Sequence, residues 1–270
     1  MDRSVTARTA RTARTARTAL AARTALAVGA TAVCLAALAG CASPDDDTEP
    51  ERRSFALQGR TLTIDSDDSA LEIVSVDGGP QDRVEVTRWF AGKVVLGDSP
   101  QVSWSMTDDR LRLRLDCSGF IADCESRHRI EVPRGIAVEV EDGDGSVRAS
   151  GFEEALSIRT GDGSVHVTDS SGPLDLHTGD GSVRAEVAAR QVRARTGDGS
   201  VQLELSTVPD LVDTRTGDGS VTVELPRAAY RVSTRTGDGG IDVGVPRDDS
   251  STHVISAHTG DGKITVRARD

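Results

Sequence analysis

The chain has 270 residues, 32 Lys+Arg against 43 Asp+Glu, and a net charge of −11. So acidic a chain is a poor nucleic-acid binder, because that role rests on neutralising phosphates with basic side chains, and it is equally unsuited to direct adhesion to anionic lipid. Only 3% of the residues are aromatic and 27 are glycine, a profile of short strands and tight turns rather than a helical bundle.

The N-terminus reads in three parts. Residues 1–24 are basic, residues 25–39 are uncharged and apolar, and Leu38-Ala39-Gly40-Cys41 follows. An apolar run of about fifteen residues is short for a membrane-spanning helix, which needs about twenty, but it suits the apolar region of a secretory signal. Leu-Ala-Gly-Cys resembles the lipobox of bacterial lipoproteins, in which the thiol is acylated and the chain is cut just before it. Residues 1–40 are therefore expected to be a lipoprotein signal peptide. Cys41 is the expected lipidation site, anchoring an extracytoplasmic protein to the outer face of the cell membrane through two acyl chains. Ala37-Leu38-Ala39 also fits ordinary signal cleavage. Loss of residues 1–40, with six arginines and one aspartate, leaves a chain of −16.

Residues 41–54 are polar, acidic and proline-containing, and read as a linker between lipid and domain. Residues 55–140 alternate with period two, as at Leu62 and Ile64, Val84 and Val86, Leu111, Leu113 and Leu115, and Val138 and Val140. This predicts a region of half-buried strands. Alternation with Val102 and Met106 places Trp104 in the core, while Trp89-Phe90 is expected between strands. Cys117 and Cys124 flank a six-residue segment, and a disulfide is expected there in an oxidising compartment. A zinc site would need more ligands than nearby His128 supplies.

Residues 141–270 are a repeat. Gly-Asp-Gly recurs at 143–145, 161–163, 179–181, 197–199, 217–219, 237–239 and 260–262, in steps of 18, 18, 18, 20, 20 and 23 residues. One unit runs Leu156-Ser157-Ile158-Arg159-Thr160-Gly161-Asp162-Gly163-Ser164-Val165-His166-Val167. A fixed short period signals a stacked array. The expected fold is all-β: a β-solenoid of stacked 18–23-residue coils with Gly-Asp-Gly turns, preceded by N-terminal strands. An antiparallel β-meander is the alternative, since Asp-Gly also marks hairpins. The glycines are expected to supply positive φ. Val165, Val183, Val201, Val221, Ile241 and Ile264 are expected to stack as one buried ladder, and Leu156, Leu174, Val192, Val212, Val232 and Ile255 as another.

The lipobox, the cysteine pair, the segment Arg129-Ile-Glu-Val-Pro-Arg-Gly135 and the Thr-Gly-Asp-Gly-Ser-Val repeats together resemble a bacterial domain-of-unknown-function family described as "putative adhesins". The resemblance covers about residues 55–270. It implies a β-solenoid lipoprotein acting as a binding or scaffolding module, with an envelope glycan or protein as ligand. It brings no catalytic residues.

The repeat also stacks carboxylates. Asp144, Asp162, Asp180, Asp198, Asp218, Asp238 and Asp261 are expected along one edge, where bare like charges repel. Arg159, His177, Arg195, Arg215, Arg235 and His258 recur three residues before each Asp from the second copy onward, so an exposed ion-pair ladder is expected, with no cofactor. A calcium β-roll is the alternative; Asp142 and Asp144, beside Glu141 and without a basic partner, are where a cation would sit. The other alternative is a polysaccharide-active solenoid enzyme. The five histidines lack metal-type spacing, and no nucleophile-elbow, zincin or phosphate-loop motif is present, so no catalytic residue is assigned.

Overall fold

The alternating segments all become strands. The computed structural model describes residue 47 and residues 49–78 and 80–269, so the expected signal peptide and Cys41 lie outside the described residues. The first strands are β1 (Glu51–Ala56), β2 (Thr61–Ser66), β3 (Ala70–Val76), β4 (Arg83–Gly97), β5 (Gln101–Thr107), β6 (Arg110–Asp116) and β7 (Gly119–Pro133). The middle ones are β8 (Ala137–Asp142), β9 (Val147–Ser150), β10 (Leu156–Thr160), β11 (Val165–Thr168), β12 (Leu174–Thr178), β13 (Val183–Val187) and β14 (Gln191–Arg195). The last are β15 (Val201–Leu205), β16 (Leu211–Arg215), β17 (Val221–Leu225), β18 (Arg231–Arg235), β19 (Ile241–Gly244), β20 (Val254–His258) and β21 (Ile264–Ala268). No helix occurs among the described residues.

The strands form two facing sheets. One has the order β1-β4-β7-β3-β9-β11-β13-β15-β17-β21-β19, the other β18-β20-β16-β14-β12-β10-β8-β2-β6-β5. Each coil gives one strand to each sheet, and successive coils pair in parallel. The fold is thus a β-solenoid, and antiparallel pairing is confined to β1, β4 and β5 at one end.

The parallel stack does not begin at residue 141. β8 pairs in parallel with β2, and β9 with β3, while β6 and β7 add a further coil outside them. Nine coils result among the described residues. Trp89 and Phe90 lie within β4 rather than between strands, paired with Arg127 and Ser126 of β7, and the Arg127 guanidinium covers the Trp89 ring. Two fifteen-residue strands, β4 and β7, run side by side here, with β1 outside them.

Coil order departs from chain order at both ends. β2/β3, first in sequence, lies between β6/β7 and β8/β9. β20/β21, last in sequence, lies between β16/β17 and β18/β19. The expected ladder is therefore reordered: Val221 stacks on Ile264, and Ile264 on Ile241. In the other sheet Val212 stacks on Ile255, and Ile255 on Val232. The long 23-residue step between Gly237 and Gly260 supplies the chain that returns to fill the gap.

Inward positions carry the core. Leu62, Val138, Leu156, Leu174, Val192, Val212 and Ile255 are all buried in one column. At the β1/β5 end the core is closed by Trp104, 6% exposed, which meets Phe55 edge to face across the two sheets and lies between the guanidinium groups of Arg53 and Arg88. At the other end Ile241 is 47% exposed.

None of the repeat glycines has positive φ; that conformation is confined to Gly78, Gly135 and Gly151 among the described glycines. Their requirement is steric instead. A Cβ on Gly199 would fall 2.1 Å from the Gly181 carbonyl oxygen, and one on Gly163 1.9 Å from that of Gly145. Backbone lies on backbone, with no space for a side-chain carbon. Gly240, outside the turn contact, has nothing within 4 Å of a built Cβ. Gly199→Ala should therefore destabilise by about 3 kcal/mol or prevent folding, whereas Gly240→Ala should shift stability by less than about 0.5 kcal/mol; urea denaturation of both variants checks the contrast.

Candidate functional site

The repeat concentrates its polar residues on one edge, where each coil turns through Gly-Asp-Gly. The residue before the first glycine points inward and is buried threonine in six coils: Thr160, Thr178, Thr196, Thr216, Thr259 and the half-buried Thr236. Each hydroxyl donates to the two glycine carbonyls of the coil below. Thr196 Oγ1 reaches Gly179 O at 3.1 Å and Gly181 O at 2.7 Å, and Thr216 reaches Gly197 O at 3.0 Å and Gly199 O at 2.8 Å. The first glycine N–H of each turn donates to the same carbonyl. Carbonyls that no strand ladder could satisfy are thereby paired. Sequence reasoning missed this row, although a Thr stands before six of the seven Gly-Asp-Gly motifs.

The Asp side chains of the turns lie outside this row. Asp144, Asp162, Asp180, Asp198, Asp218, Asp238 and Asp261 are all exposed. The stacking order ends Asp218, Asp261, Asp238, following the inserted coil. The Oδ1 atoms of all but Asp238, which is in the last coil, lie over the backbone of the next coil, and Asp144 accepts the N–H of Asp162 at 3.2 Å. The expected ion-pair ladder is not formed: among the described residues no ion pair joins a basic residue to a turn Asp. Arg195 and Arg215 both turn to Asp213, at 3.4 Å each. The reason is direction. Arg159, His177, Arg195, Arg215, His258 and Arg235 stand in one column on the outer face of their sheet, whereas the carboxylates lie around the corner, against the following turn.

No group of three or more His, Cys, Asp or Glu is arranged to hold a metal among the described residues; of the two candidate cation ligands, Asp144 is exposed in its turn and Asp142 is turned towards the interior. Asp142 instead occupies the threonine position, paired in register with Ser66 below and Thr160 above. Both of its carboxylate oxygens are buried without a hydrogen bond of normal geometry, as is Ser66 Oγ. Burial raises its pKa to about 7, opposed by the nearby Ser66 hydroxyl and Gly145 N–H and assisted by the like charges of Asp68 and Asp144. A neutral carboxyl can donate where threonine donates; an ionised one cannot.

Cys117 and Cys124 are joined, with Cα atoms 6.3 Å apart. The bridge staples the turn of the β6/β7 coil, in place of the glycine turn. A shallow groove of about 460 Å³ separates it from Gly145, with Asp68 and Glu125 on its walls. His128, too isolated for zinc, ends the aliphatic column of Leu71 and Val147. Burial and then Arg88 lower its pKa to about 3, so it is neutral under physiological conditions.

These groups give opposite pH dependences. The folded state holds the Asp142 proton up to about pH 7 and the unfolded state releases it near pH 4, so stability falls as pH rises through that window. His128 acts oppositely, favouring the fold as pH rises from about 3 towards the unfolded value near 6.5. Asp142→Thr isolates the first effect. The variant should gain roughly 1–3 kcal/mol over wild type at pH 8 and much less at pH 4; melting curves of both proteins at the two pH values check this.

Similar solved structures include a "putative adhesin" from Bacteroides fragilis, 12% identical, covering 82% of this chain and 98% of that one with a TM-score of 0.48. Another "putative adhesin", from Parabacteroides merdae, is 11% identical and covers 83% and 97%, with a TM-score of 0.43. A "putative cell adhesion protein" from Clostridium sporogenes is 12% identical and covers 82% and 100%, with a TM-score of 0.38. No curated protein matches the chain. The family model described as Toastrack DUF4097 matches residues 131–269, more than half of the chain. The chain belongs to the Toastrack DUF4097 family.

Proposed function

We propose that this protein is a lipoprotein held at the outer face of the cell membrane by Cys41, and that its solenoid is a non-enzymatic binding or scaffolding module for an envelope glycan or protein, as in adhesion. The observation that carries the reading is how the repeat spends its polar residues. The buried threonine hydroxyls are committed to glycine carbonyls coil after coil. What faces outward are side chains that recur at the coil spacing of about 4.8 Å. A catalytic centre is one asymmetric cluster, whereas a periodic surface suits a repeating ligand or a partner of extended shape. The anchor is supported by Leu38-Ala39-Gly40-Cys41 at the end of an apolar run, and the Cys117–Cys124 bridge suits an oxidising compartment.

Cys41→Ala tests the anchor. In the native host the variant should leave the membrane fraction, or accumulate unprocessed, and lose incorporation of labelled fatty acid. A variant as membrane-bound and as labelled as wild type overturns the proposal. Binding of the wild-type protein to an array of envelope glycans and proteins then identifies the ligand class.

A further inference from the structure

Six coils follow β8/β9 in the stack, and their two outer faces are charged differently. On β10, β12, β14, β16, β20 and β18 the outward residues include six arginines against two aspartates. On β11, β13, β15, β17, β21 and β19 they include two arginines against four carboxylates. Both arginines of the second face are paired within it: Arg184 with Glu186 and Glu204, and Arg267 with Glu224. The first face leaves most of its cations unpaired. Arg159, His177, Arg195, Arg215, His258 and Arg235 form a row of one residue per coil, about 24 Å long at the coil spacing. Among the described residues Arg195 and Arg215 are the members of the row that meet a carboxylate, and they share the same one, Asp213. Arg159 and Arg235, near its two ends, are exposed and join none, and the exposed Arg193 and Arg231 stand beside the row. Like charges stacked on neighbouring strands repel, a cost that a ligand of opposite charge relieves.

We infer that this face binds a linear acidic glycan, with one carboxylate on each sugar ring, laid along the row. The inference rests on the reading of the solenoid as a binding module and names its ligand class. A guanidinium grips a carboxylate through two parallel hydrogen bonds. The row repeats by translation, and so does a polysaccharide: a 1,4-linked pyranose chain advances by nearly one coil per ring, so each new carboxylate meets a new coil. Arg193 and Arg231 are placed for groups that the chain turns away from the row. An acidic peptide keeps no such register, because its same-face side chains recur at about 6.6 Å when extended and at about 5.4 Å when helical. A hollow of about 170 Å³ on the same face, lined in part by Ala155, Ser157, Pro173, Asp175, Gln191 and Arg193, offers a ring a seat with both apolar and polar walls. The outward residues of these strands include no Phe, Tyr or Trp on which a nucleobase would stack. The turn carboxylates border the row but lie around the corner, so they confine an anionic chain to the face.

Titration calorimetry of the full-length chain in neutral detergent tests this, with 1,4-linked oligogalacturonates as the probe. Fragments long enough to cross all six coils should bind more tightly than the disaccharide, and affinity should fall as salt is raised. Arg159→Gln/Arg235→Gln removes two cations that hold no carboxylate in the structure, and should weaken binding by about tenfold. Arg184→Gln/Arg267→Gln makes the same change of charge on the opposite face and should leave affinity within about twofold of wild type. Melting curves confirm that both variants are folded. Absence of binding, equal affinity for a neutral glucan, equal losses from the two double variants, or tighter binding of polyglutamate overturns the inference. Such a result leaves the binding-module reading to the array of envelope glycans and proteins, which tests it independently.

Discussion

The fold depends on a contact between glycine turns that leaves no room for a β-carbon. Each Gly-Asp-Gly lies on the carbonyls of the turn beneath it, close enough that a Cβ would overlap an oxygen at about 2 Å. That approach lets the first glycine N–H and the threonine hydroxyl of each coil reach the same carbonyl. Hydrogen-bonded polar groups in a buried edge contribute about 1 kcal/mol each, and far more is lost when one partner is missing. The row therefore holds the coils in register at their corner, where the strand ladders stop. Sequence regularity follows from it, because a turn that contacts its neighbour through bare backbone tolerates few substitutions.

The same rule makes the departures informative. Ser66 and Asp142 stand where threonine stands elsewhere, and neither makes the threonine's pair of hydrogen bonds to glycine carbonyls. They mark the junction at which the β2/β3 coil, with its Ser66-Asp-Asp-Ser69 turn, meets the first Gly-Asp-Gly coil. Here the stack admits an ionisable group whose burial raises its pKa to about 7. The adjoining coil closes its turn with a disulfide rather than glycine. For so short a loop the chain-entropy account assigns such a bridge about 2–3 kcal/mol.

The inserted coils bear on how the stack is made and kept. A plain solenoid can fray from either end, because each coil contacts only its neighbours. In this chain both the first and the last coil in sequence are held between two others. Neither can leave without breaking two interfaces in each sheet. The cost lies in folding: β2 and β3 must wait for β6 and β7, and a gap must remain for β20 and β21. Such non-local pairing slows folding relative to sequential stacking.

Much of this architecture was legible in the sequence. Period-two alternation identified the strands, and the Gly-Asp-Gly period identified the stack, because inward residues of a coil must match those above and below. The disulfide was legible from two cysteines on a short segment. The charge ladder was misread, since spacing along the chain does not say that Arg195 and Arg215 point across the sheet face to Asp213 while Asp198 and Asp218 turn the corner. The role of the glycines was misread for a similar reason: turn glycines such as Gly163, Gly181 and Gly199 are required by backbone in another coil, which local turn propensity cannot reveal. The sequence by itself determined the strands, the repeat unit and the parallel stack, all of which arise from local periodicity. Only the tertiary structure decided the order of the coils and the pairing of the charges, because each depends on contacts that spacing along the chain does not reveal.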